Sequence, residues 1–251
     1  MNNHFMSRPM ATIGSGLLLP IVVPADATAS LIGLIQNLNI SAFLALALQV
    51  ANALDLVTPG RKITVPEVLR PLRDRYGRNF IHMLMHAWSP RARTFLHTVL
   101  AEYVTPADML VLEDTFAALD SRGYTIATVA AERNIAEIIQ IMQARDIPVG
   151  IRNNNPEGLS AVHIAVIREH MGVLEAFGRA GVNMNMPDKN GETPMHWAVN
   201  IGDVRRVIML MQYGAKQSLD RANCWGMSPV KMASAADKGE ILNAMGRLWN
   251  H

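Results

Sequence analysis

From residue 120 onward the apolar positions fall in short stripes of helical period, interrupted by turns at nearly regular intervals. Val204, Val207, Ile208 and Met211 follow the i, i+3, i+4, i+7 spacing of a helix that buries one face, which predicts them as core. Similar stripes follow a glycine in "SRGYTIATVA" at Gly123, "EGLSAVHIAV" at Gly158, "NGETPMHWAV" at Gly191 and "CWGMSPVKMA" at Gly226, at intervals of 35, 33 and 35 residues. A looser copy, "RYGRNFIHML", lies at Gly77, 46 residues before Gly123. A recurrence in this range predicts like units that stack, each burying the apolar face of the next.

Before residue 61 the pattern changes. Ala27 to Leu54 carries no charge, a length that could cross a membrane, but Gln36, Asn37, Asn39, Ser41, Gln49 and Asn52 punctuate it and "AFLALAL" is short. Two buried helices, roughly 29–38 and 42–56, account for it better. They would cover the open end of the first repeat, as stacked repeats require. Upstream, the apolar run in "MATIGSGLLLPIVVPADATA" follows only Arg8 and is interrupted by Pro20 and Pro24, which argues against a cleavable signal peptide. "TPGRK" at 58–62 breaks the chain before a helix predicted over 65–76.

The repeated residues have physical roles. Thr193 can cap a helix through its hydroxyl, and Pro194 suits a first turn, where a missing N–H costs nothing. Ala130, Ala165, Ala198 and Ala233 let two helices approach closely, whereas Leu84 in the looser copy predicts a wider spacing. A tight turn between the two helices of each unit falls on Asn134, Gly202 and Asp237, all tolerant of left-handed backbone. Glu169 takes that place in the remaining copy, so its turn should be strained or differently built.

Gly191, Thr193, Pro194, Met195, His196, Ala198 and Gly202, followed by Gly214 and Ala215, resemble the ankyrin repeat. The resemblance is strong in that copy, good at 153–186, recognisable at 120–152 and 220–251, degenerate near 74–119, and absent before Arg61. It implies an all-α ankyrin-repeat solenoid with an N-terminal helical capping region. The expected division is 1–60 as apolar cap, 61–119 as a helical region with the degenerate repeat, and 120–251 as four repeats. It also implies that His163 and His196 bond the backbone of a neighbouring repeat, a structural role shared with Gly191, Thr193 and Pro194.

Composition narrows the function less than the pattern does. Half of the 251 residues are apolar and 18% charged, enough to bury a large core. The net charge of +2 hides a basic block: residues 61–93 carry +6 and the rest −4. "RPLRDRYGR" at 70–78 could touch phosphates, but no nucleic-acid fold motif accompanies it. Cys224 is the only cysteine, so no disulfide forms within the chain, and a reducing compartment fits best. The sixteen methionines read as adaptable core filling.

No phosphate loop, nucleophile elbow or kinase signature occurs, and His82 with His86 is an i, i+4 pair without a third ligand in sequence. The expectation is no catalytic residue, no metal and no cofactor. What remains is recognition of a partner protein by a monomer, in the cytoplasm or in a host cell if a pathogen delivers it. The short, divergent repeats look compatible with such effectors. Ankyrin repeats vary at their hairpin tips and on the concave side of their first helices. Carried onto this chain, the binding residues are Arg122, Tyr124, Arg133, Glu157, Leu159, Arg168, Lys189, Asn190, Glu192, Asn200, Trp225 and Met227. Tyr124, Leu159, Met227 and Trp225 are the expected hot spots, apolar or aromatic at places the repeat exposes. The alternative is a catalytic or membrane-targeting domain in 1–119, positioned by the repeats. That stretch offers Asp55, Glu67, Asp74, His82, His86 and His97, dispersed among apolar runs.

Overall fold

Most repeat units begin a helix on an oxygen-bearing side chain two residues after their glycine. Asn79, Thr125, Ser160 and Ser228 accept the backbone N–H of the third helical residue, satisfying a donor that the helix itself cannot. Pro194 and Pro229 occupy first turns. At Thr193 the hydroxyl meets His196 Nδ1 at 2.9 Å.

The computed structural model describes residues 21–57, 62–105, 108–150, 153 and 155–249, and among these it is all helix without a strand. The elements are α1 (Ala25–Gln36), α2 (Ile40–Val57), α3 (Val65–Leu69), α4 (Phe80–His86), α5 (Pro90–Glu102), α6 (Met109–Ala117), α7 (Ile126–Arg133), α8 (Ala136–Ala144), α9 (Ala161–Ile167), α10 (Met171–Arg179), α11 (Pro194–Ile201), α12 (Val204–Gln212), α13 (Pro229–Ala235) and α14 (Gly239–Trp249). Helices α4, α7, α9, α11 and α13 pack in succession as an inner row, while α8, α10, α12 and α14 form the outer row. Ala130, Ala165, Ala198 and Ala233 are buried within the inner row, where a larger side chain would hold neighbouring helices apart.

The looser copy at Gly77 also folds as a pair, α4 with α5. Its longer interval contains an additional helix, α6, which donates no repeat pattern of its own. Asp108 at the start of α6 accepts from the Thr64 hydroxyl at 2.7 Å, and Thr115 O accepts from Asn79 Nδ2 at 2.5 Å. The insertion is thereby tied to the first repeat. Helices α1 and α2 pack on each other, and α1 also packs on α4. Residues 10–20 of the apolar run weighed as a leader, and most of "TPGRK", lie outside the described residues.

Two expectations change and a third is narrowed. The helix predicted over 65–76 ends at Leu69, because Pro71 has no N–H with which to continue the ladder. In α12 Val207 and Met211 are buried, but Val204 and Ile208 are only half-buried, and Leu210 takes the remaining core place. Beside it Arg206 is 5% exposed, its guanidinium 3.1 Å from the Glu169 carboxylate. The third concerns the Glu169 turn, which is built like the others. Glu169 has φ +60°, beside +58° at Asn134, +86° at Gly202 and +51° at Asp237. It is therefore strained rather than rebuilt, at a cost of about 1 kcal/mol. The pairing with Arg205 and Arg206 gives this glutamate a use that glycine lacks.

Candidate functional site

The hairpin tips share one local design. In each, the side-chain oxygen of an Asp or Asn three residues before the glycine accepts backbone N–H groups across the turn. Asp120 takes Arg122 N and Tyr124 N at 2.9 and 3.0 Å, and Asp188 takes Asn190 N and Glu192 N, both at 2.9 Å. Asn223 does the same for Trp225 N and Met227 N, Asp74 for Tyr76 N and Arg78 N, and Asn155 for Leu159 N. Such turns leave the two residues before the glycine projecting outward on a stiff frame.

The tips are also laced to one another. Ser121 N donates to Tyr76 O at 3.0 Å, Lys189 N to Glu157 O at 3.1 Å, and Cys224 N to Asn190 O at 2.8 Å. Glycine is required for this approach. A Cβ on Gly158, whose φ is +73°, would stand 3.1 Å from the backbone N of Lys189 and 2.9 Å from its Cγ.

Beneath the tips, a buried polar group ties the repeats at Gly123, Gly158 and Gly191 to the carbonyl that follows the next repeat's glycine. His163 Nε2 donates to Glu192 O at 3.0 Å while its Nδ1 accepts from Ser160 N at 3.0 Å. His196 repeats this with Met227 O and Thr193 N. Both imidazoles are therefore neutral, with the proton on Nε2. Burial, the leading cause, pushes the His163 pKa down to about 4, and it lowers that of His196 too.

His82 is built differently. Asn79 Oδ1 lies 2.8 Å from Nδ1 and Tyr124 O lies 3.3 Å from Nε2, so two acceptors face one neutral ring. Its single proton goes to the shorter contact, and burial holds its pKa down to about 4. Where the repeat at Gly123 has Thr128 instead of histidine, Asn153 takes over. Its Oδ1 accepts from Thr125 N and from the Thr125 and Thr128 hydroxyls, and its Nδ2 donates to Leu159 O at 2.8 Å. Sequence periodicity could not find Asn153, because it works from the opposite side of the junction.

The residues assigned to binding divide into groups. Trp225 is 62% exposed at its tip, and Arg122, Glu157, Lys189 and Asn190 are exposed at theirs. Arg133, Arg168 and Asn200 are exposed near the ends of α7, α9 and α11. Two of these are engaged: Arg133 donates to His86 Nδ1 at 2.6 Å, and Asn200 O accepts from Lys238 Nζ at 2.9 Å. Glu192 is half-buried and accepts from Asn223 Nδ2 at 3.2 Å. Tyr124, Leu159 and Met227 are half-buried, and the first two pack on the core's edge. The Tyr124 ring is further covered by the Arg122 guanidinium at 4.4 Å, so the expectation of a freely presented tyrosine does not hold. Trp197, absent from the expected set, sits half-buried in α11 with Nε1 donating to Asp188 Oδ2 at 3.3 Å.

No group of His, Cys, Asp and Glu among the described residues could hold a metal ion. His82 and His86 face different partners rather than one site. No described helix is long and apolar enough to cross a membrane.

Comparison with known proteins agrees with this geometry. Residues 129–221 match the family model for ankyrin repeats in three copies. The chain is 28% identical over 114 residues to the nuclear factor NF-kappa-B p105 subunit of Gallus gallus, covering 45% of this chain and 11% of that protein. It is 36% identical over 61 residues to the RelA-associated inhibitor of Mus musculus, covering 24% and 7%. It is 22% identical over 121 residues to the probable 26S proteasome regulatory subunit p28 of Saccharomyces cerevisiae (strain ATCC 204508 / S288c), covering 48% and 53%. The chain thus matches at most about half the length of these relatives. Paired helices, buried ties between repeats and laced tips, together with the match over 129–221, identify residues 129–221 as ankyrin repeats.

Proposed function

We propose that this protein recognises a partner protein through the tips and concave side of its repeats, without catalysing a reaction, and that residues 120–251 are the recognition unit. The observation that carries the reading is the exposure of Trp225 on a tip whose backbone is tied to its neighbour. An indole held in solvent by a stiff turn buries area on binding and loses little conformational freedom. The exposed Arg122, Glu157, Lys189 and Asn190 supply polar contacts along the same edge. The RelA-associated inhibitor and the proteasome regulatory subunit, both matched by this chain, carry names consistent with work through protein partners.

The test is affinity capture with the intact chain and with Trp225→Ala, read by quantitative mass spectrometry. The variant should retain its melting temperature, because the side chain is exposed, and lose a specific captured protein about tenfold or more. Identical capture by both chains would remove Trp225 from the recognition face. Tyr124→Ala serves as contrast: with its ring packed on the core edge and under Arg122, it should lower stability by about 1–2 kcal/mol.

A further inference from the structure

The lacing of the tips has one gap. Between the second and third tips, the place of Ser121, Lys189 and Cys224 falls to Pro156 and that of Tyr76, Glu157 and Asn190 to Arg122, and both residues line one cleft. Proline has no N–H, so the Arg122 carbonyl has no donor among the described residues. A cleft of about 530 Å³ opens at this junction, with Leu119, Arg122, Tyr124, Pro156 and Glu157 among its lining residues.

The cleft has a definite charge. Arg122 is ion-paired at 3.0 Å with both the Asp120 and the Glu132 carboxylates. That triad carries −1. Glu157 is exposed and pairs with no cation among the described residues, which brings the four groups to −2. Nearby carboxylates also contribute, after burial, to the raised pKa of the Tyr124 phenol, with Glu132 and Glu157 both acting on it. The walls are apolar: Leu119 is 37% exposed, Pro156 is exposed, and part of the Tyr124 ring remains open. An unused carbonyl, an unpaired carboxylate and an apolar wall suit a cation carried on an aliphatic stem.

We propose that the gap between the second and third tips accepts a lysine or arginine side chain of a protein partner, its head shared between Arg122 O and the Glu157 carboxylate and its stem lying on Leu119 and Pro156. The proposal rests on the protein-recognition reading and gives it a chemistry. An acidic side chain would meet the Glu157 carboxylate, while Arg122, the cation lining the cleft, is already held by Asp120 and Glu132. A purely apolar one would leave the Arg122 carbonyl covered and unpaired.

The intact ¹⁵N-labelled chain is titrated at low salt with blocked pentapeptides of alanine carrying lysine, arginine, norleucine or glutamate at the centre. Lysine and arginine peptides should shift the amide resonances of Gly123, Tyr124, Glu157 and Gly158 saturably, while norleucine and glutamate peptides leave them in place. Glu157→Gln should weaken binding about fivefold. Pro156→Ala restores the N–H that the other junctions use, engages Arg122 O and should abolish the shifts. Unchanged resonances at Asn190 and Cys224 report that each variant is folded. Equal shifts with norleucine or glutamate, shifts confined to another tip, or no shift with lysine and arginine would each overturn the proposal. Trp225-dependent capture alongside silent peptides would sink the cleft alone. Peptide binding alongside capture indifferent to Trp225 would sink the wider recognition face at that tip.

Discussion

Lowering the pH should loosen this protein through His163 well before its carboxylates titrate. The imidazole is fully buried, accepts from Ser160 N on one nitrogen and donates to Glu192 O from the other, so protonation would set a second N–H against a donor. Burial holds its folded-state pKa down to about 4, against 6.5 for an unperturbed histidine. With the folded value depressed, the unfolded chain binds more protons between these two limits. Stability is therefore complete above pH 6.5, falls as pH drops through the window, and has lost this contribution in full below pH 4. The whole difference is on the order of 3 kcal/mol, of which about 2.5 kcal/mol should be gone at pH 4.5. That is a large part of a typical domain's stability.

Urea unfolding of the parent and of His163→Gln at pH 7.5 and pH 4.5 measures it. Glutamine does not titrate, so the variant should start less stable by about 1–3 kcal/mol from its lost hydrogen bonds, yet lose about 2.5 kcal/mol less than the parent between the two pH values. His82 and the carboxylates contribute equally to both chains and cancel in the comparison. Parallel pH profiles in the two proteins would refute the assignment of His163 as the neutral, buried tie.

Two further outcomes follow from the tips and the junctions. Gly158→Ala should lose roughly 2–3 kcal/mol in thermal unfolding, because a positive φ and a Cβ contact with the Lys189 backbone act together, whereas Gly226→Ala, with a similar φ and open space, should lose about 1 kcal/mol. Asn153→Ala leaves Leu159 O without that donor and the Thr125 and Thr128 hydroxyls without their common acceptor, so chemical denaturation should show a loss of about 2–3 kcal/mol. A variant as stable as the parent would mean that water or another side chain replaces Asn153 at no cost.

Much of the fold could be read from spacing alone, since a stacked repeat is held by neighbours at fixed sequence offsets. The glycine interval, the small residues at 130, 165, 198 and 233, and the histidines at 163 and 196 each follow from one unit meeting an identical unit, so they recur and can be recognised. The same logic placed the left-handed turn, even though Glu169 occupies it in one copy. What recurrence cannot carry is whatever happens once. The α6 insertion, the early end of α3 before Pro71, and Asn153 substituting for a missing histidine are single events, set by contacts across the junction where they occur. Presentation of side chains was likewise decided in three dimensions. Tyr124 follows its glycine and Trp225 precedes its own, and the repeat pattern exposes both places, but Arg122 and the core edge hold the first down while the tip leaves the second in solvent. Pro156 is an ordinary turn residue in the sequence; only the lacing of neighbouring tips makes its missing N–H a gap, because a hydrogen-bond vacancy exists relative to a partner that the chain brings close by folding.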